Sequence, residues 1–113
     1  MKIEFAQIKV EPDKPDLNVE RMVFRMINAS EREADLIIFP EMSVGGYFLG
    51  DLWLDDDYCE DLMSYNEVIA AEAARHSIAV IFGNVYIDPS SDIRGHDGRI
   101  ARYNAAYAFL KDG

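Results

Sequence analysis

The sequence has a single cysteine, Cys59, two histidines, His76 and His96, and no apolar run long enough to cross a bilayer. One cysteine cannot bridge within the chain, and no C-x-x-C or Cys/His cluster has the spacing of a zinc site. A disulfide framework and a structural metal are therefore both excluded as the source of the fold, and a reducing compartment fits. The opening MKIEFAQIKV alternates apolar and polar residues and lacks the continuous apolar core of a signal peptide, so the expected location is the cytoplasm. Positive charge is scarce as well. Eleven Lys and Arg against 21 Asp and Glu leave a net charge of −10, whose field repels phosphate backbones and anionic lipids. Neither nucleic acid nor a membrane surface is expected as a partner.

What is present is a chain of 113 residues, 50% hydrophobic and 28% charged, the profile of one globular domain. At this length roughly two thirds of the unfolded surface is buried, so a core needs no staple. Residues 2 to 10 carry Ile3, Phe5, Ile8 and Val10 in near alternation and read as a strand that EPDKPD stops. Asp16 or Asn18 can cap a helix over about residues 17–33, with Val19, Met22, Val23, Met26 and Ile27 at helical spacing. Leu36 to Phe39 form an apolar run between Asp35 and Pro40, as in a central parallel strand buried on both faces. LGDLWLDDDYCEDLM reads as loop and a short helical turn. Ser64 and Glu67 fit a capping box that opens a second helix bearing Tyr65, Ile69, Ala73 and His76. A third strand is expected from Ile78 to Phe82 and on through Val85 to Ile87, and a fourth from about Arg102 to Leu110. The fold class is α/β, with about four strands and two main helices, and strand–helix–strand order favours βαβ connections.

In such sheets binding and catalytic groups gather at the carboxyl ends of strands. Glu41 stands just beyond the second strand. A carboxylate there also serves as a cap or a solvated turn residue, so position by itself leaves its role open.

The stretch ADLIIFPEMSVGGY resembles the nitrilase superfamily of carbon-nitrogen hydrolases, in which a strand delivers F-P-E and a G-Y pair follows at the spacing of Glu41 to Gly46 and Tyr47. KIEFAQIKV, DLN at 16 to 18, HSIAVIFGNV at 76 to 85 and RYNAAYAFLKDG at the end resemble further landmarks of that superfamily, in its order. Within it, GGYFLGDLWLDDDYCEDL is most similar to the N-terminal glutaminase domain of glutamine-dependent NAD+ synthetases, although Gly45 stands where a Thr is common.

The resemblance implies part of a layered α-β-β-α sandwich and an amide-hydrolysing site of Glu, Lys and Cys. There the cysteine attacks the amide carbon, the glutamate moves the proton and the lysine steadies the oxyanion. It assigns the general-base role to Glu41 and a wall of the glutamine pocket to Tyr47, the latter equally readable as packing over the strand ends. Cys59 lies among carboxylates that disfavour a thiolate, and Lys111 precedes the D-G turn that the superfamily's lysine usually follows. Both read as structural, so residues 1–113 are expected to be the N-terminal part of one hydrolase domain and inactive alone. Glutamine is the implied substrate and a homo-oligomer the implied assembly. No cofactor is expected in this part of the domain, while ATP and Mg2+ are implied for a separate synthetase domain.

The rival readings are part of a stand-alone amidase for another small amide, and a non-catalytic α/β module such as a phosphoacceptor receiver, which needs an aspartate where Glu41 stands. Asp55, Asp56 and Asp57 point in different directions and suit a helix N-terminus better than a metal. His76 reads as a helix-end residue, His96 as a loop residue, and Asn84 and Asn104 as amides that tie strands or loops together.

Overall fold

The computed structural model describes residues 1–47, 49–95 and 98–112; His96 lies outside them. Its elements are β1 (Ile3–Phe5), α1 (Pro15–Glu31), β2 (Leu36–Ile38), a 3-10 turn (Gly50–Leu54), α2 (Asp56–Arg75), β3 (Ala79–Tyr86) and β4 (Tyr103–Phe109). The strands form one mixed sheet in the order β1-β2-β3-β4. The first three run parallel, with Ile37 opposite Glu4 on one side and Val80 on the other, so β2 is the central parallel strand its apolar run predicts. It is buried on one face only: Ile37 is buried, while Leu36 and Ile38 are half-buried on the face no helix covers. The fourth is antiparallel to β3, from Val80 opposite Phe109 to Tyr86 opposite Tyr103. This is the α/β class with four strands and two main helices. Among the described residues no helix is long and apolar enough to cross a membrane.

Strand alternation sorts the side chains onto two faces. On one face Ile37, Val80 and Phe82 are buried beneath the helices, and Phe82 stacks on Tyr107 with ring centroids 5.5 Å apart. Met22 and Met26 of α1 and Leu62, Ile69 and Ala73 of α2 close the same core, with α1 packed on α2 and α2 on β3. Asn84 enters this layer with an amide that must be paired. Its Nδ2 donates to the Leu62 carbonyl at 2.8 Å and to Asn66 Oδ1 at 2.9 Å, tying β3 to α2. No helix covers the other face: Phe5 is 75% exposed and Ile3 45%, while Ala106 and Ala108 also face outward. One helix layer and one sheet are thus present, half of the sandwich implied by the superfamily.

The structure corrects several local expectations. The first strand covers only three residues, because Ala6 onward follows the sheet edge without a ladder. Neither Asp16 nor Asn18 caps α1, which starts on Pro15 after Lys14; the missing proline N–H removes one donor that would otherwise need a cap. Asn18 is instead fully buried and pins the next turn of the chain. Ser64 does not open α2. The helix begins at Asp56, capped by Asp55, whose carboxylate accepts from the Asp57 and Tyr58 amides at 2.9 and 3.3 Å, while Ser64 donates back to the Asp61 carbonyl inside the helix. The third strand runs unbroken through Gly83.

Candidate active site

Pro40 cannot donate to a ladder, and directly beyond it the chain leaves β2 and turns through residues 41 to 45. This turn folds over β3 at Gly83. A Cβ there would lie 2.3 Å from the Met42 amide nitrogen and 2.9 Å from the Glu41 Cα, so only glycine allows the approach. Ser43 fastens the contact, its hydroxyl donating to the Gly83 carbonyl and accepting from the Gly83 amide, both at 3.3 Å. Behind the turn, buried Asn18 donates to the carbonyls of Val44 and Glu11, each at 2.8 Å, and accepts from the Glu11 amide at 2.8 Å. Gly46, at a φ of +82°, reverses the chain against Pro12. Gly45 packs so closely on Leu62 that an added Cβ would lie 2.9 Å from it, which accounts for a glycine at this point of the turn.

This scaffold delivers Glu41 to the open sheet face with its carboxylate exposed. The Tyr47 hydroxyl donates to that carboxylate and so does the side-chain amide of Asn104 on β4. Both bonds favour the ionised form, holding the Glu41 carboxyl below the usual glutamate value, with Tyr47 the larger cause. The same contact pushes the Tyr47 phenol up. Tyr47 is half exposed, and its carbonyl is held by the Trp53 indole N–H at 3.3 Å. Beside them lies an apolar cleft of about 270 Å³ lined by Met42, Tyr47, Trp53, Val85, Tyr103 and Arg102 together with Asn104. The Arg102 guanidinium is committed elsewhere, to Asp56, the Leu54 carbonyl at 3.2 Å and the Ile100 carbonyl at 2.8 Å. The cleft thus offers aromatic and aliphatic walls with Arg102 and Asn104 as polar groups, while Glu41 lies in an adjoining groove with Pro40, Gly83 and Ala106, and Asn104 borders both.

The two decoys lie apart from this arrangement. Cys59 is fully buried in α2 with its thiol 3.7 Å from the Trp53 carbonyl, and burial pushes the thiol up more than the neighbouring Arg102 pulls it down. Lys111 follows β4 at the end opposite Asn104, near Met1, Asp35 and Ser77. Five steps of strand separate Asn104 from Phe109, the end of β4, roughly 17 Å at the usual rise, and Lys111 lies beyond it. Among the described residues no group of three or more His, Cys, Asp or Glu side chains is placed to hold a metal. The three aspartates at 55 to 57 serve the start of α2, and His76 caps its end beside Glu72 at 3.1 Å.

The sequence points to Glu41 and Tyr47 and to Asn104 as an amide tying strand to loop, which its bond from β4 to the Glu41 turn bears out, but not to Glu41 as its partner, nor to Trp53 and Arg102. The tie spans 63 residues and joins a turn to an antiparallel strand, a pairing no local pattern carries. Arg102 and Trp53 left a weak trace, being a cation and a large ring that flank elements rather than fill them.

The chain is 35% identical to the glutamine-dependent NAD(+) synthetase of Acinetobacter baylyi over 112 residues, 99% of this chain and 18% of that protein. It is 27% identical to the 2-oxoglutaramate amidase of Bacillus subtilis over 111 residues, 98% of this chain and 38% of that one. Among solved structures, the glutamine-dependent NAD+ synthetase from Acinetobacter baumannii superposes with a TM-score of 0.69 at 30% identity, covering 96% of this chain and 18% of that one. The chain thus spans well under half the length of these relatives. The carbon-nitrogen hydrolase family model matches residues 6–113, and with the strand-end Glu41, the G-Y turn and the α/β sheet in place, the chain belongs to the carbon-nitrogen hydrolase family.

Proposed function

We propose that the chain forms the first part of a glutamine-hydrolysing domain of a glutamine-dependent NAD+ synthetase, in which Glu41 is the general base. The observation that carries this reading is the strand-end Glu41 carboxylate, held by Asn104 in a groove on the open sheet face next to an apolar cleft, with its pKa lowered by Tyr47 and Asn104. A base must begin each turnover unprotonated, and this one does. Tyr47 walls the cleft, whose volume suits a small amide rather than an extended ligand. The lysine and the nucleophilic cysteine come from outside residues 1–113, since Lys111 is remote and Cys59 is sealed in the core. Ammonia released from glutamine then serves an amidation of nicotinic acid adenine dinucleotide in a separate synthetase domain, where ATP and Mg2+ act. Copies of the protein associate, with the uncovered sheet face as the apolar surface that drives it.

The test is an assay of glutamine hydrolysis by this chain alone and by the chain joined to the reading frame that follows Gly113. Turnover is expected only in the longer protein, with Glu41→Gln lowering kcat about 10²-fold or more and Cys59→Ala leaving it intact. Cys59-dependent turnover by the short chain, or an unaffected Glu41→Gln variant, overturns the assignment. The second reading, an amidase for another small amide, is favoured by the similarity to the 2-oxoglutaramate amidase. Hydrolysis of 2-oxoglutaramate in clear preference to glutamine would select it.

A further inference from the structure

Asn104 sits on an exposed position of β4 between Tyr103 and two alanines, where a β-branched residue would suit the strand better. Its amide is spent on the site. Nδ2 donates to Oε1 of Glu41, and both Glu41 and Asn104 lie close enough to the Tyr47 phenol to influence its pKa, Glu41 the more strongly. A neutral amide, incapable of titrating in this range, thus holds the base beside its phenol neighbour. The amide comes from a different element than the base. Glu41 and Tyr47 share one turn and would move together, whereas Asn104 is anchored by a full ladder with β3, opposite Val85 on the floor of the cleft.

We propose that Asn104 is a positioning residue that orients the Glu41 carboxylate over the open sheet face by fixing one of its two oxygens to β4. This rests on the reading of Glu41 as the general base, and it assigns to the last strand a part in the proton transfer. With Oε1 committed to Asn104, the carboxylate cannot rotate freely about its last torsion, and proton exchange is directed to the side of the carboxylate that the amide leaves open. Removing the amide leaves the strand and the cleft in place but lets the carboxylate swing.

The experiment follows the side-chain carboxyl carbon of Glu41 by ¹³C NMR through an acid titration of this chain. The variants are Asn104→Ala, Asn104→Val and Asn104→Asp, with Ala108→Val on the same face of β4 as a control. Wild type and the control titrate together, below the ordinary glutamate range. Asn104→Ala and Asn104→Val both move the midpoint upward, and Asn104→Asp moves it further because a second carboxylate opposes ionisation. Asn104→Val keeps the strand should the alanine variant fray it. A midpoint unchanged in a variant whose amide fingerprint remains native overturns the proposal. In the longer, active protein Asn104→Ala lowers kcat roughly 10- to 100-fold with little change in KM, and the acidic limb of the kcat/KM profile moves up with the NMR midpoint. A silent Glu41→Gln in the hydrolysis assay would remove the base and leave the titration result standing, so the two failures are distinct.

Discussion

The two faces of the sheet are built from one set of strands and differ in almost everything else. Beneath the helices, Ile37, Val80 and Phe82 are within about one per cent of complete burial, and the polar intruder Asn84 is fully paired. Across the same strands Ile3 and Phe5 stand in the open, and the turn that carries Glu41 packs over Gly83. Burial on one face holds the fold; on the other, the lack of it leaves room for a carboxylate and a cleft. Stability and chemistry are divided between the two sides of a single layer.

Truncating one aromatic on each face tests that division most strongly. Phe82→Ala is expected to cost about 3–5 kcal/mol in urea unfolding, and Phe5→Ala less than about 0.5 kcal/mol. Similar losses at both positions would erase the distinction. Next in size are the two fastenings of the turn. Gly83→Ala forces a side chain into the Met42 backbone and should cost about 1–3 kcal/mol. Asn18→Ala leaves buried partners unpaired for a comparable loss, about 1–3 kcal/mol. In both variants the amide resonances of residues 41 to 44 shift while those of α2 stay in place; a uniform change across the chain would show that the turn is not a separate device.

The open face itself is expected to drive association. Sedimentation should show mass rising with concentration, and Phe5→Glu should reverse it, whereas a compact monomer at high concentration in the unaltered chain would count against an exposed docking surface. The smallest effect is electrostatic. Because the folded state holds Glu41 below its unfolded value, its bonds to Tyr47 and Asn104 add stability above the unfolded value, and that gain is lost as pH falls through the folded one. The stability difference between wild type and Glu41→Gln should therefore be present at about pH 7 and vanish by about pH 2, below the carboxylate range. A difference that is independent of pH would show the carboxylate to be unpaired.

Much of the covered face was legible in the sequence, because burial writes itself as periodicity. Leu36 to Phe39 announced a central strand, and Met22, Met26, Ile69 and Ala73 announced helix faces. The start of α2 was not, because DDDYCED has the polarity of a loop. Yet Cys59 and Leu62 already keep the three-residue spacing of a helix stripe, and Asp55 is its cap. Ser64 imitated a cap because a mid-helix serine can satisfy itself on its own backbone. For the site, Pro40 and the glycines marked where the chain must turn, so Glu41 and Tyr47 could be placed. Asn104, Arg102 and Trp53 joined them only through tertiary contact, which leaves no period in a sequence.

The tie between Asn104 and Glu41 also has a consequence in time. Its two ends are 63 residues apart, and Asn104 is held by the ladder of β4 on β3. Loops of that span close late compared with neighbouring elements. During synthesis Glu41 therefore emerges before its partner and gains the tie only when β4 docks on β3. Until that docking, an incomplete chain carries the carboxylate without its tie to β4.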